Sequence, residues 1–286
     1  MGTRLARIYQ ATLERPAHQR PIVMLDMEAY RHVELTLSVM QRALASPGLD
    51  AVRAGIVLQA YLPDSARWHE ELIAWAAARV KRGASTIRLR IVKGANLAAE
   101  RVESAKAGSA VPIYERKLEV DANYKLLLER HIQGEALAFV ELGVASHNVF
   151  DLAYALVLAY EHGAAARVGL EMLEGMADPL RRTLSRLGVD VLVYAPICDD
   201  RELNTGIAYL VRRLEENTSA DNFLSASFAM HPGDPNFERE RARFRAAIAE
   251  MDALSNLPRR TGETSLDRGL VRTRERRQPE QAFCNE

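Results

Sequence analysis

Polar side chains in the segment IAYLVRRLEEN, residues 207–217, have the types and spacing to bind an anion. Tyr209, Arg212, Arg213 and Glu216 are spaced i, i+3, i+4 and i+7, so a helix would place them on one face. A guanidinium binds carboxylate or phosphate oxygens in pairs, and two adjacent arginines beside a tyrosine predict an oxyanion site. The alternative is a solvated basic face in which Arg213 and Glu216 form a surface pair.

A second charged segment, RLRIVKGA, begins at Arg88 and combines arginines with apolar residues before a glycine. Arg88 and Arg90 are two residues apart, so on a strand both side chains point to the same side. Because Lys and Arg are almost never buried without a partner, the segment favours a polar or anionic ligand. Gly94 would let the backbone approach that ligand closely. The chain contains neither a Walker loop nor G-x-G-x-x-G, so a nicotinamide-binding Rossmann site is not expected.

His147 follows an apolar run and lies between Ser146 and Asn148. It could act as a general base, a metal ligand or a hydrogen-bonding group beside a cofactor. Other histidines, such as His32, His69 and His162, fall in helical patterns or at their ends, so no metal site is predicted, and no nucleophile motif of a hydrolase accompanies His147. A hydrogen-bonding role beside a cofactor is therefore the favoured interpretation.

Six short apolar runs alternate with longer helical patterns along the chain. Runs rich in Val, Ile and Leu are typical of parallel strands buried on both faces, and their alternation with helices indicates βαβ units. Strands are predicted at residues 22–25, 55–60, 86–92, 137–145, 168–173 and 189–194, and helices at 32–45, 66–82, 120–133, 152–162 and 236–251.

Polar residues follow nearly every predicted strand. They can converge only if the sheet closes on itself, with the site at the carboxyl ends of the strands. In an open doubly wound sheet they would be strung along one edge. We therefore expect an α/β fold of the (βα)8 TIM-type barrel class. The residues in question are Asp26, Glu28, Gln59, Tyr61, Arg90, Lys93, Gly94, Ala95, Asn96, Ser146, His147, Asn148, Glu171, Glu174 and Tyr194.

Composition excludes several classes of protein. The 286 residues include 38 Lys and Arg against 38 Asp and Glu, and this neutral balance argues against a nucleic-acid binder. No apolar run is long enough to predict a transmembrane helix, and the N-terminus lacks the features of a secretory signal. Cys198 and Cys284 are too few for a disulfide framework or a cysteine-based zinc site. We expect a cytoplasmic protein.

Several segments resemble the proline dehydrogenase domain of the bifunctional flavoenzyme proline utilization A, in a form similar to its actinobacterial members. They cover about residues 20–225 and are LDMEAYRHVELTL, GIVLQAYLPD, RLRIVKGANLAAERVE, PIYERKLEVDANYK, GVASHNVFDLAYAL, LEMLEGMAD and YAPICDDRELNTGIAYLVRRLEENTSADNFL. The resemblance implies a helix and loop over residues 1–21 and a partial barrel over 22–231. Residues 232–286 would form a helix and a linker towards an aldehyde dehydrogenase domain that is absent here.

The resemblance also implies an activity: FAD-dependent oxidation of L-proline to Δ1-pyrroline-5-carboxylate, with a quinone as electron acceptor. Such a protein would be cytoplasmic or lie peripherally at the inner membrane. Arg90 and Asp26 would be catalytic. Substrate would contact Arg212, Arg213, Tyr209, Tyr194 and Leu173. FAD would contact Gln59, Arg90, Val92, Lys93, Gly94, Ala95, Ser146, His147, Asn148, Glu171, Arg213, Glu216 and Phe223.

Three features depart from the family pattern. Asn96 and Leu97 stand where many members have Tyr and Trp, and Glu171 replaces a Gln that is common near the flavin ring edge. Only six of the eight strands are predicted, with the first two missing, so the chain is expected to be truncated at both ends. The alternatives are an inactive truncated remnant of this enzyme, or a TIM-barrel enzyme that binds a phosphorylated substrate through the arginine pair.

Overall fold

The computed structural model describes residues 2–197, 199–204, 206–207, 209, 211, 222–227 and 230–260. Strands and helices alternate along these residues, as predicted. The strands are β1 (Val23–Leu25), β2 (Ala54–Gln59), β3 (Ile87–Val92), β4 (Val140–Ala145), β5 (Val168–Leu173) and β6 (Val191–Tyr194). The helices before and between them are α1 (Gly2–Leu13), α2 (Tyr30–Leu44), α3 (Ser65–Lys81), α4 (Leu97–Ala107), α5 (Lys117–Gln133), α6 (Val149–Glu161) and α7 (Asp178–Arg186). Two further helices, Phe223–Ser227 and Pro235–Glu250, follow β6.

The six strands form one parallel sheet in the order β1-β2-β3-β4-β5-β6. Each strand pairs with the next one along the chain, and the order never reverses as it does in a doubly wound sheet. The sheet curls into a half-barrel of α/β type, so the predicted TIM-type fold class is confirmed. Within the described residues β1 and β6 are its two edges.

The strands β4 and β6 begin more than one residue later than predicted, and each for a local reason. A 3-10 turn over Ala136–Ala138 occupies the start of the run assigned to β4. Before β6, the N–H of Val189 donates to the carbonyl oxygen of Leu184 at 3.0 Å, so this residue closes the end of α7 and cannot pair with β5.

The two faces of the sheet differ in chemistry. On the strands β3 and β5, Arg88 and Arg90 contact Glu171 across the intervening β4, so these side chains share the concave face. Since neighbouring side chains on a strand point to opposite faces, Leu89 and Leu170 point to the helices, where both are buried. The main apolar core therefore lies between sheet and helices, and the inside of the half-barrel is polar.

The Pro235–Glu250 helix packs on α5 and α6 through aromatic side chains. Phe244 stacks on Phe150 with ring centroids 5.9 Å apart and meets Tyr154 edge-on at 5.6 Å. None of the helices in the described ranges is long and apolar enough to cross a membrane.

A pair of buried histidines joins α3 to α5. His69 and His131 are 2% and 0% exposed, and His69 Nε2 lies 2.9 Å from His131 Nδ1. His131 Nε2 lies 3.0 Å from the carbonyl oxygen of Val140, which can only accept, so His131 donates there and accepts from His69. Burial keeps both rings neutral at pH 7. Burial lowers the pKa of His69 to about 3, with His131 and Arg130 adding to the effect, and burial lowers the pKa of His131 to about 4.

We expect this pair to make the fold sensitive to mild acid. Below pH 6.5 the histidines of the unfolded chain bind protons that the folded rings exclude. The free energy of unfolding should therefore be highest above pH 6.5 and should fall as the pH drops towards 4. Each ring would contribute up to ~1.4 kcal/mol per pH unit. Urea unfolding of the natural protein at its full length, at pH 7 and pH 5, measures the loss. His162→Gln, at the exposed end of α6, should leave it unchanged, whereas a double His69→Leu/His131→Leu variant with an equal loss would contradict this origin.

Candidate functional site

Side chains from four strands meet at the carboxyl ends of the sheet. Arg90 on β3 places its guanidinium 3.7 Å from the ring centre of Tyr194, which ends β6. On its other side, Arg90 Nη1 lies 3.7 Å from Oδ2 of Asp26, which follows β1. Asp26 is 63% exposed at its side chain, whereas Arg90 is 9% exposed. Convergence of polar groups at this end of the sheet, predicted from their positions after successive strands, is what the structure shows.

Glu171 on β5 holds two arginines of β3. Its side chain is fully buried; Oε1 accepts from Arg88 Nε at 2.7 Å and Oε2 accepts from Arg90 Nε at 2.5 Å. Arg88 Nη1 is also 3.8 Å from Glu141 on β4. The positive charge of β3 is thus balanced largely within the protein, and the polar or anionic ligand inferred from this segment stays a prediction.

The end of β2 is tied to the loop that follows β1. Gln59 Nε2 donates to the carbonyl oxygen of Met27 at 2.7 Å, and Tyr61 OH donates to that of Glu28 at 3.0 Å. These bonds leave one polar atom of Gln59, Oε1, buried without a partner. Arg90 Nη2 and Tyr194 OH are buried and unpartnered in the same way.

The turn after β4 is ordered by its own side chains. His147 Nε2 accepts from the N–H of Leu173 at 3.0 Å, so the ring is neutral with its proton on Nδ1. Ser146 Oγ accepts from the N–H of Asn148 at 3.0 Å. Asn148 Oδ1 in turn accepts from the N–H of Phe150 and caps α6. This places His147 beside Leu173 at the end of β5, and Leu173 is two residues after Glu171.

Lys93, directly after β3, points to the helices α5 and α6. Its Nζ lies 2.6 Å from Oδ1 of Asp121 and 2.7 Å from Oδ2 of Asp151. Burial disfavours the charged ammonium, but the carboxylates of Asp151 and Asp121 outweigh it and raise the pKa of Lys93. The lysine is therefore a fixed cation at the rim of the site.

Two more lysines complete this cluster. Lys125 Nζ lies 3.0 Å from Oδ1 of Asp151 and is 2% exposed, and Lys117 Nζ lies 2.5 Å from Oδ2 of Asp121. Burial opposes ionisation of Asp151, but Lys93 and Lys125 outweigh it and lower the pKa of that carboxyl. The cluster joins the end of β3 to the two helices that carry the Pro235–Glu250 helix.

The remaining candidate residues of β3 line the same end of the sheet. Gly94 has φ +102°, and a Cβ there would lie 2.4 Å from Cδ1 of Tyr61, so the close approach in this structure is to that ring. The carbonyl oxygen of Val92 accepts from the N–H of Ala60 at 2.7 Å, and Ala95 is exposed.

The predicted anion-binding face of residues 207–217 falls mostly outside the described residues. Three of its residues, Arg212, Arg213 and Glu216, lie outside the described residues, while Tyr209 is described and half-buried. Phe223 is described, 8% exposed, and meets Phe150 edge-on at 6.3 Å.

Sequence reasoning missed the partners that hold the site. Lys117, Asp121 and Lys125 are spaced four apart, a helical ion-pair pattern that could have indicated the cluster. Gly143 and Gly169 stand inside predicted strands, where glycine often marks close packing. Groups of three or more potential metal ligands are absent from the part of the chain that the structure describes.

Comparison with known proteins assigns a family to most of the chain. The model of the family described as proline dehydrogenase matches residues 4–226. The chain is 26% identical over 211 residues to the bifunctional protein PutA of Escherichia coli, covering 71% of this chain and 15% of that protein. It is 28% identical over 194 residues to the proline dehydrogenase of Deinococcus radiodurans, covering 68% of this chain and 53% of the relative.

A solved structure of similar fold is that of proline utilization A from Corynebacterium freiburgense. The TM-score is 0.81 at 31% identity, with 99% of this chain and 28% of that chain covered. The chain therefore spans between about a seventh and about half of the length of these relatives.

Proposed function

This chain belongs to the proline dehydrogenase family, and we propose that its site binds FAD and oxidises L-proline to Δ1-pyrroline-5-carboxylate. Family membership also argues against the alternative of a phosphorylated substrate. The site lies at the carboxyl ends of the strands, where barrel enzymes carry out their chemistry.

One observation carries the cofactor: the strands β2, β3 and β6 each contribute a buried polar atom without a partner at this end of the sheet. They are Oε1 of Gln59, Nη2 of Arg90 and the hydroxyl of Tyr194. An unsatisfied buried polar group costs about 1–3 kcal/mol, so a ligand that satisfies several of them at once would bind well. A flavin ring edge offers both an N–H donor and nitrogen and oxygen acceptors, and it therefore fits an acceptor on Gln59 beside a donor on Arg90.

The residues would then act through position and charge. FAD, when bound, accepts the hydride that leaves C5 of proline. Arg90 would supply a positive charge that favours transfer of electrons to the flavin, and Asp26, 3.7 Å from Arg90 Nη1, would face the substrate amine. Arg212 and Arg213 would bind the substrate carboxylate, with Tyr209, Tyr194 and Leu173 around the ring. His147, Ser146, Asn148, Lys93 and Glu216 would hold the rest of the cofactor.

The wider context of the reaction is also a proposal. Electrons would pass to a quinone, which requires the protein to reach the inner membrane. The product would pass to an aldehyde dehydrogenase domain, since the Escherichia coli relative is named a bifunctional protein. The barrel portion would then span residues 22–231. A helix and loop would precede it over residues 1–21, and a helix and linker would follow it over residues 232–286.

We expect Arg90→Met to weaken flavin binding by about tenfold to a hundredfold in the natural protein at its full length. A hydrogen bond from a charged donor is worth about 1.5–3 kcal/mol, and each 1.4 kcal/mol is about a factor of ten. Titration of the apoprotein with FAD gives the dissociation constant. Arg53→Met is the matched control, because Arg53 is exposed at the amino ends of the strands. Equal affinities in both variants and the parent would refute the placement of the cofactor.

A further inference from the structure

We propose that Glu171 is a positioning residue, which acts through Arg90 to set the direction and the effective charge of that guanidinium towards the cofactor. This inference rests on the proposed function, since it concerns the cofactor that Arg90 would face. It assigns to Glu171 a role through its arginine partners, in place of a direct contact with the ligand.

The contacts of Arg90 leave one of its nitrogens without a hydrogen-bond partner. Its Nε donates to Glu171 Oε2 at 2.5 Å, its Cζ lies over the Tyr194 ring at 3.7 Å from the ring centre, and Nη1 lies 3.7 Å from Asp26 Oδ2. Nη2 is buried and has no hydrogen-bond partner. An arginine with four rotatable side-chain bonds is thus held at Nε and against the Tyr194 ring, and Nη2 keeps donors that no protein group uses.

The carboxylate of Glu171 is itself locked by a second arginine. Its Oε1 accepts from Arg88 Nε at 2.7 Å, so each carboxylate oxygen serves a different guanidinium. The side chain of Glu171 is 0% exposed. A carboxylate fixed at both oxygens cannot rotate without losing a charge-assisted hydrogen bond, and this rigidity is passed to Arg90.

Two glycines make room for this network inside the half-barrel. Gly143 on β4 pairs with Arg90 on one side and with Gly169 of β5 on the other. A Cβ at Gly143 would lie 2.1 Å from Glu171 Oε1, and a Cβ at Gly169 would lie 2.7 Å from Arg88 Nη2. Real Cβ atoms essentially never come within 3.0 Å of another heavy atom, so any other residue at either position would displace the network.

Stability alone does not account for such an arrangement. Buried ion pairs are often no more stable than the apolar residues that could replace them, because desolvation offsets their attraction. Orientation of a cation at the mouth of the site is a use that apolar residues could not serve. The carboxylate also offsets part of the positive charge of Arg88 and Arg90, so its removal would favour the reduced, more negatively charged cofactor.

The test compares Glu171→Gln, Glu171→Ala and Glu141→Gln in the natural protein at its full length. Glu141 is the matched control, because it lies near Arg88 but Arg90 has no bond to it. The readouts are the FAD dissociation constant and the midpoint potential of the bound flavin. We expect Glu171→Gln to favour reduction by about tenfold, which is about 30 mV for a two-electron couple. We expect Glu171→Ala to weaken FAD binding at least tenfold, and Glu141→Gln to change neither.

The outcomes separate this inference from the proposed function. A parent protein that binds no flavin would overturn the proposed function, and this inference with it. A parent that binds flavin, with Glu171→Gln at an unchanged potential, would overturn only the positioning role. Because glutamine keeps the volume and an acceptor oxygen, that variant decides the question even if Glu171→Ala does not fold.

Discussion

Asp151→Asn is expected to lower the free energy of unfolding by about 3–5 kcal/mol. The carboxylate lies between Lys93 and Lys125, and the substitution leaves the ammonium of Lys125 buried without its counter-charge. Removal of one partner of a buried pair is costly for this reason. The expected loss is a large share of the 5–15 kcal/mol by which a domain is typically stable. Urea unfolding of the natural protein at its full length measures it.

Two further variants isolate the cause of this loss. Glu103→Gln removes one partner of the exposed pair with Arg31 and should cost at most about 1 kcal/mol. Combining Lys125→Met with Asp151→Leu removes both buried charges and should recover most of the lost stability. A double variant as unstable as Asp151→Asn would show that packing, and not an uncompensated charge, explains the effect.

The 286-residue chain, produced on its own, is expected to self-associate almost completely at micromolar concentration. In the part of the chain that the structure describes, the sheet ends at β1 and β6 without a further strand, and unpaired edge strands associate readily. Exposed apolar side chains lie on and just after the edge strand β6: Leu192 is 45% exposed and Ile197 is 97% exposed. Size-exclusion chromatography with light scattering measures the mass.

A charge at this edge should reverse the association. Leu192→Lys places a solvated cation on β6, and we expect the monomer fraction to rise severalfold. Leu257→Lys is the control, because Leu257 is 76% exposed but lies in the segment after the Pro235–Glu250 helix. A monomeric parent chain, or equal monomer fractions in both variants, would refute the role of the open edge.

The fold was largely predictable because its signals are local. The strands carry apolar residues such as Leu89, Ile91, Leu142 and Val144, which are buried on the face that packs against the helices. The convergence of Asp26, Arg90 and Tyr194 followed from the rule that parallel strands end at one edge. These inferences need only the positions of residues relative to the ends of their strands.

The partners within the site were not predictable in this way. The contact of Glu171 with Arg88 and Arg90 spans from β5 to β3 and depends on the register of three strands and on the missing side chain of Gly143. The pairing of Lys93 with Asp151 depends on how α6 packs against the end of β3. Such contacts are set by tertiary geometry, which no periodicity in the chain encodes.

The central claim is that this site holds a flavin that proline reduces. The most direct measurement is the visible absorption spectrum of the purified natural protein at its full length, recorded without oxygen before and after addition of L-proline. We predict a flavin band with near-stoichiometric occupancy that bleaches with L-proline and persists with D-proline. A protein without a flavin band, as an inactive remnant would be, or with a band that L-proline leaves unchanged, would contradict the claim.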